Sequence, residues 1–295
     1  MKRTPVTTGG RSTRPPPPAR LLTRRAGARV AAILAGAAVV AAMLLALAGC
    51  NLESGAFDLS RRAKNQWDKG EYEDAARGFA ALTEIYPGST LAEESFYFAA
   101  SLYDEYLQNK PTAIRYYQQL LVKYPDGQYA LDARESLARI YESDPDTLYR
   151  ALQIYRQLVL SKELRDRHEA FQYKIAEINV AMGRTDQARF ELRTFLQQYP
   201  KSDRRAQVFY LIGYTFYLEK RRPLALAVME KTVKEFPGTP VAQQAQFFMA
   251  DTQEELGHLP EALRLFQGLQ GKYHDPAIVE QRIETLQARL RRGVR

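Results

Sequence analysis

The chain has 295 residues, a formal net charge of +8 and a single cysteine. Residues 1–49 contain eight basic side chains and no acidic one, which leaves 34 basic and 34 acidic residues in the remainder. The basic character therefore belongs to the leader, and the composition excludes a globally basic nucleic-acid binder, an intrachain disulfide scaffold and a multi-cysteine metal site.

Residues 1–49 are predicted to be a signal peptide with an extended basic n-region, because arginines precede an uncharged, largely apolar run from 30 to 48. The run ends in Leu47-Ala48-Gly49-Cys50, which resembles a bacterial lipobox. That resemblance implies that Cys50 receives a diacylglyceryl group, and that its new α-amine is acylated, with palmitate for example, after cleavage. Asn51, where an aspartate would signal retention in the inner membrane, favours the outer membrane. An uncleaved membrane span is the alternative.

A pattern of 37–38 residues repeats six times after the leader. Each copy has a central alanine, at Ala75, Ala113, Ala151, Ala188, Ala225 and Ala262. A residue four positions later is always large and apolar, and one seven positions later is usually so: Phe79 and Leu82, Tyr117 and Leu120, Tyr155 and Leu158, Leu192 and Phe195, Met229 and Thr232, Phe266 and Leu269. A second small residue precedes each alanine, at Ala63, Ala100, Ala138, Ala176, Gly213 and Ala250. These offsets predict pairs of closely packed helices.

An aromatic–proline pair closes four of the copies, at Tyr86-Pro87, Tyr124-Pro125, Tyr199-Pro200 and Phe236-Pro237. Proline has no N–H to donate and disfavours helical geometry in the residue before it, so each pair predicts a helix end. The residues expected to supply the turns and cap the helices that follow are Gly88, Ser89, Gly127, Ser202, Gly238 and Thr239. Pro111, Pro223 and Pro260 are predicted to lie in first helical turns.

The run Gly70-Glu71-Tyr72, followed by Ala75, Phe79, Leu82 and Pro87, resembles a tetratricopeptide repeat. The resemblance implies an all-α, right-handed solenoid of about six repeats at about 56–90, 91–128, 129–165, 166–202, 203–239 and 240–275. Residues 276–291, with Ile278, Ile283, Leu286 and Leu290, are predicted to form a capping helix. The solenoid would span 57–291, after a lipidated linker at 50–56.

The long form of the repeat, with its Tyr-Pro turn, is similar to that of periplasmic repeat lipoproteins. These include the BamD family of outer-membrane assembly factors and the repeat proteins associated with the Tol–Pal system. The resemblance implies that partners lie along a concave face lined by the first helix of each repeat. Candidate exposed residues on that face are Trp67, Tyr97, Asp104, Glu105, Glu135, Tyr173, Tyr210, Tyr214, Tyr217 and Phe247.

The candidate face reads acidic in its N-terminal half and aromatic further along the chain. An acidic groove favours basic peptide segments, and exposed tyrosines are typical binding anchors. The same tyrosines at helical spacing also suit ordinary packing between helices. The three histidines, His168, His258 and His274, lie in different repeats, so no metal site, cofactor site or acid–base pair is predicted.

The leading hypothesis is a non-enzymatic, protein-binding lipoprotein on the periplasmic side of the outer membrane. Its expected partners are envelope proteins of the β-barrel assembly machinery, and the lipid on Cys50 would provide its membrane contact. A small-molecule substrate and nucleic acid are not expected. An adaptor for secretion, pili or cell-wall coordination, of pilotin or Tol–Pal type, is the alternative. A cell-wall enzyme or the regulator of one is the third possibility.

Overall fold

A computed structural model describes residues 52–293, which fold into α-helices joined by short turns, with no strand in that range. The first helix, α1, covers 52–68. It is followed by α2 (Tyr72–Ile85), α3 (Ala92–Ser101), α4 (Lys110–Lys123), α5 (Ala130–Glu142), α6 (Leu148–Leu158), α7 (His168–Ala181), α8 (Thr185–Gln198), α9 (Arg205–Leu218), α10 (Arg222–Glu235), α11 (Pro240–Glu255), α12 (Leu259–Gln267) and α13 (Pro276–Arg291). Successive helices pack against each other along the chain, and α9 also contacts α7 and α11. The prediction of an α-solenoid of paired helices is confirmed.

The two small residues of each repeat lie where its paired helices meet. All six central alanines are fully buried, as are the five alanines and Gly213 that precede them. The large residues that follow each alanine are buried as well, from Phe79 and Leu82 in the first repeat to Phe266 and Leu269 in the last. One helix pair has too little surface to bury such a face alone, so stacking of neighbours completes the core.

The prolines act as predicted. Helices α2, α4, α8 and α10 end one or two residues before their Tyr-Pro or Phe-Pro pairs, and Pro111, Pro223 and Pro260 lie at the starts of α4, α10 and α12. The three predicted hydroxyl residues divide between the two expected roles, capping a helix and forming a turn. Thr239 accepts a hydrogen bond from the Ala242 N–H at 3.2 Å, but Ser89 and Ser202 stabilise the turns themselves, accepting from the N–H groups of Leu91 at 3.2 Å and Arg204 at 3.0 Å.

Two local departures from the repeat affect its surface. A π-helical turn, Leu102–Tyr106, continues α3 and shifts its register before α4 begins. In the third repeat, which lacks the aromatic–proline pair, a 3₁₀ segment, Lys162–Arg167, leads into α7.

The predicted linker at 50–56 is wrong from residue 52 onward, because 52–56 already form the first turns of α1. Glu53 fixes this end: its carboxylate accepts hydrogen bonds from the Ser89 hydroxyl at 2.9 Å and the Thr90 N–H at 3.0 Å. Cys50, the lipobox residues and the signal segment lie outside the described residues. Between 52 and 293, no helix has both the length and the apolar character that crossing a bilayer requires.

Helix α13 packs on α12 and covers the end of the last repeat. Its buried residues are Val279, Ile283 and Leu286. Ile278 and Leu290, which were expected on the same stripe, are each 37% exposed. The capping face is therefore offset by one residue from the predicted one at the start of the helix, because Val279 lies four residues before Ile283, on the same helical stripe, whereas Ile278 lies five residues before it.

Candidate partner-binding surface

The first helix of each repeat, together with α13, forms one side of the solenoid, here called the first-helix surface. Its most distinctive feature is on α9, where Tyr210, Tyr214 and Tyr217 follow each other at intervals of four and three residues. Such intervals place side chains in one row along a helix. The Tyr210 and Tyr214 rings are 6.4 Å apart at 4°, and those of Tyr214 and Tyr217 are 6.3 Å apart at 15°. All three side chains are half-buried.

Phe248 of α11 completes this tyrosine row. Its ring lies edge-on to Tyr210, Tyr214 and Tyr217, with centroid distances of 6.2, 6.0 and 4.7 Å. The predicted residue, Phe247, instead stacks on Tyr273 at 4.8 Å and lies edge-on to Phe266 at 5.2 Å. The sequence interpretation did not name Phe248, and the residue that it named, Phe247, lines the cavity at the end of the row together with Phe248. Contact with Phe248 shows that the tyrosines take part in packing between helices, and their intermediate burial leaves part of each side chain accessible.

Two phenol groups of the row, those of Tyr210 and Tyr217, have a raised pKa and stay protonated across the physiological pH range. Burial raises the pKa of Tyr210 to about 12. The Tyr217 hydroxyl donates a hydrogen bond to Glu255 at 2.6 Å, which, ahead of burial, raises the pKa of that phenol. The Arg222 guanidinium lies 3.7 Å from the centre of the Tyr217 ring. The row thus offers apolar ring faces and ends, at Tyr217, in the polar groups of Glu255 and Arg222.

A cavity of about 550 Å³ continues from this end, between α9, α11 and α13. It is lined by Tyr217, Phe247, Phe248, Asp251, Thr252, Glu254, Glu255, Ile278, Arg282 and Arg289. Arg282 pairs with Asp251 and lies 2.9 Å from Glu254, to which Arg289 donates a hydrogen bond at 2.6 Å. Burial raises the pKa of Asp251 against the opposing effect of Arg282. The cavity therefore combines aromatic walls with charged groups of both signs.

The predicted aromatic residues of the N-terminal half mainly hold helices together. Trp67 lies edge-on to Phe79 at 6.2 Å and Phe98 at 5.3 Å. Tyr97 stacks on Tyr129 at 4.9 Å, which joins α3 to the start of α5. Both side chains are half-buried, as are the three tyrosines of α9.

Two predicted exposed residues are buried. Asp104 is 8% exposed and accepts a hydrogen bond from Arg139 at 2.9 Å. It lies in the π-helical turn, so extrapolating an α-helical period along α3 assigned it to the wrong face. Tyr173 is 6% exposed, because Phe195 packs edge-on against it at 5.9 Å and Arg204 lies 5.0 Å from its ring centre. Burial raises the pKa of Tyr173.

Ion pairs between neighbouring repeats offset much of the acidic charge on the first-helix surface. Residues 52–147 carry 17 acidic and 10 basic side chains, so this part is acidic as expected. However, bases of adjacent repeats pair with the acids: Lys64 with Glu94, Arg139 with Asp104 and Glu105, Arg167 with Glu135, and Lys174 with Glu142. Burial raises the pKa of Glu135, and Arg167 opposes that rise. The first-helix surface therefore carries a series of ion pairs between successive repeats, followed by the tyrosine row at α9.

The histidines stay apart. His168 Nε2 lies 2.6 Å from the Ser161 carbonyl oxygen, His258 Nδ1 lies 2.8 Å from Gln253 Oε1, and the His274 ring lies 4.3 Å from that of Tyr273. Among residues 52–293, no group of three or more His, Cys, Asp or Glu side chains is arranged to hold a metal ion.

Two segments of the sequence, 94–127 and 169–202, match the family model "Tetratricopeptide repeat". A search of curated proteins returned no match. Among solved structures, a tetratricopeptide repeat protein from Parabacteroides merdae is similar, with 14% identity, 82% of this chain and 88% of that chain covered, and a TM-score of 0.56. At such identity the likeness shows the fold alone.

Two further structures are similar over most of their own length. PilW, described as a widely conserved type IV pilus biogenesis factor, has 13% identity, coverage of 78% of this chain and 97% of that chain, and a TM-score of 0.48. YrrB, described as a TPR protein with an unusual peptide-binding site, has 19% identity, coverage of 64% and 91%, and a TM-score of 0.48.

Proposed function

Since the chain is a solenoid of tetratricopeptide-like repeats, we propose that it is a non-enzymatic scaffold that binds another protein on its first-helix surface. Stacked repeats of this kind commonly present extended binding surfaces rather than catalytic pockets. The observation that carries the proposal is the half-exposed tyrosine row on α9, which leads into the cavity beside α13.

The row suits a segment of a partner that is at least partly apolar. Rigid aromatic rings offer large contact areas at low conformational-entropy cost, and they dominate the energetics of many interfaces. Glu255 and Asp251 at the end of the row are already held by Arg222 and Arg282, so contacts with a partner there exchange existing ion pairs. We expect affinity to come from the rings and orientation from the charged end.

The proposed location is the periplasmic side of the outer membrane, with the chain tethered by lipid on Cys50. Its support is the sequence run Leu47-Ala48-Gly49-Cys50, together with Asn51 directly after the cysteine. Two or more acyl chains hold a protein stably on a bilayer. Within the envelope we propose a part in β-barrel assembly, on the strength of the long repeat form with its Tyr-Pro turns, as at Tyr86-Pro87 and Tyr124-Pro125.

Photocrosslinking in living cells tests this proposal. A benzophenone amino acid replaces Tyr214 in the row, and in a matched control it replaces Phe190, which is 63% exposed on α8 and belongs to a second helix. We expect a defined adduct with a component of the barrel-assembly machinery from position 214 and none from position 190. An adduct with a secretion or pilus component at position 214 would support the scaffold proposal but contradict the proposed part in β-barrel assembly. Equal labelling from both positions would refute the binding surface.

Lipidation has its own test. Mass spectrometry of the mature protein should find an N-terminal Cys50 that carries diacylglycerol and an amide-linked acyl chain. A free thiol at Cys50, or a retained segment 1–49, would contradict the proposed anchor.

A further inference from the structure

Three large aliphatic side chains are unusually exposed at the ends of second helices. Ile85 ends α2, Val122 lies in the last turn of α4, and Leu160 follows α6 by two residues. Their exposed fractions are 61%, 82% and 79%. The corresponding last turns of α8 and α10 expose polar residues instead, for example Gln197 and Lys234. At the ends of these second helices, large exposed aliphatic side chains are thus found in the first three repeats and replaced by polar ones in the next two.

These helix ends lie along one edge of the solenoid, the edge at which α1 also begins. The turn after α2 contacts the start of α1, since Glu53 accepts a hydrogen bond from the Ser89 hydroxyl at 2.9 Å. The turn after α4 contacts the turn after α2, since the Tyr124 hydroxyl lies 3.4 Å from the Pro87 carbonyl oxygen. Arg134 of α5 donates a hydrogen bond to the Pro125 carbonyl oxygen at 2.6 Å, which fixes the turn after α4. Leu160 follows α6 at the equivalent point of the next repeat, and stacked repeats bring equivalent points to the same edge.

Two more apolar side chains belong to this edge at the start of α1. Leu52 and Phe57 are 39% and 62% exposed. The edge defined by Leu52, Phe57, Ile85, Val122 and Leu160 is here called the anchor edge. The opposite edge, where first helices end, also exposes Leu218 and Leu256, to 40% and 43%, which is about as much as Leu52 but less than the other four residues of the anchor edge. Large exposed aliphatic groups on one side of a protein mark a contact with a partner or with lipid.

The place of Cys50 in the sequence favours lipid over a protein partner at this edge. This inference rests on the proposed lipid anchor. Only Asn51 separates Cys50 from the helix that covers 52–68. A fully extended residue spans about 3.5 Å, so a lipidated Cys50 holds the start of α1 within roughly 10 Å of the headgroups. No flexible linker remains to lift this edge away from the bilayer.

The geometry points to the anchor edge as a second, non-covalent membrane contact, with its apolar side chains seated among the lipid headgroups. Apolar residues of peripheral proteins enter this zone to a depth of about 5–10 Å. The contact would end after the third repeat, where Gln197 and Lys234 replace the aliphatic residues. A one-residue tether and an apolar edge together would set the orientation of the solenoid relative to the membrane.

Fluorescent probes on the mature, lipidated protein test the contact. The chain has one natural cysteine, which the lipid would occupy, so Val122→Cys, Leu160→Cys and the control Gln197→Cys each provide a single reactive thiol. All three positions are exposed, so labelling should leave the fold intact. Each variant receives a nitrobenzoxadiazole probe and is reconstituted in phosphatidylethanolamine–phosphatidylglycerol vesicles, with or without a nitroxide attached to the lipid acyl chain.

We expect nitroxide quenching at positions 122 and 160 to be at least about threefold stronger than at position 197, because only the first two probes reach the lipid. Lipidated, vesicle-bound protein with equal and weak quenching at all three positions would overturn the membrane contact and leave the proposed lipoprotein intact. If the mature protein carries no lipid on Cys50 and does not sediment with vesicles, both the membrane contact and the proposed lipoprotein are overturned.

Discussion

Gly78 and Gly213 provide a matched test of how closely the paired helices approach. A Cβ added at Gly78 in α2 would lie 2.9 Å from the Ala63 Cβ and 3.5 Å from its Cα, which belongs to the backbone of α1. A Cβ added at Gly213 in α9 would lie 2.9 Å from the Met229 Cε, the end of a flexible side chain. Because alanine is favoured over glycine inside a helix by about 1 kcal/mol, both substitutions start with the same gain.

The two substitutions differ in which neighbouring group must move to accommodate the new methyl group. Met229 can change rotamer, so Gly213→Ala should raise the free energy of unfolding by up to about 1 kcal/mol. Gly78→Ala must displace helix α1, and overpacking of that kind costs about 1–3 kcal/mol. That cost exceeds the helical gain, so we expect Gly78→Ala to lower the free energy of unfolding by about 1 kcal/mol, or the melting temperature by roughly 2–4 °C.

Urea unfolding of the purified protein, followed by circular dichroism at 222 nm, measures both effects. A double-mutant cycle with Ala63→Gly adds a check, because removing the Ala63 methyl group should relieve the overpacking and give a favourable coupling of about 1 kcal/mol or more. If Gly78→Ala stabilised the protein as much as Gly213→Ala, the close approach of α1 and α2 would be wrong.

Three further predictions concern the tyrosine row and its neighbours. Tyr214→Ser should reduce crosslinking from neighbouring positions in the row at least about tenfold, since it removes a central aromatic anchor, while helicity by circular dichroism stays within error. Tyr217→Phe loses only the hydrogen bond to Glu255 and should lower the free energy of unfolding by about 0.5–1.5 kcal/mol in urea titrations. The hydrogen bond from Arg189 lowers the pKa of Glu219, so this carboxylate stabilises the fold above its unfolded pKa and loses that effect as pH falls through its folded pKa. Glu219→Gln should therefore destabilise the protein more at pH 7 than at pH 3, and an equal loss at both values would contradict the role of the pair.

The sequence predicts the core of the repeats well because close helix packing leaves few choices of residue. Only small side chains fit where two helices meet, and their period of 37–38 residues survives local variation. All twelve predicted small positions are buried, and prolines fix the helix boundaries to within one or two residues. These features depend on local geometry, which sequence spacing reports directly.

The surface is less predictable, because it depends on register and on neighbouring repeats. Asp104 was assigned to an exposed face by counting along an α-helix, but the π-helical turn shifts that count. Phe247 was chosen in place of Phe248, although both lie near the same face and only contact with α9 distinguishes them. Tyr173 is buried by a helix of the next repeat. None of these features can be predicted from the residue spacing within a single helix.

The mostly sequential packing of the helices has a mechanical consequence. With few contacts between distant segments, the free energy that holds any one helix pair in place comes largely from the pairs on either side. The terminal pairs have one neighbour fewer, so opening should begin at an end and advance inward, and α13 delays that process at the C-terminus by shielding α12. A protease should therefore shorten the chain stepwise, and the surviving fragments should end near helix boundaries rather than inside them.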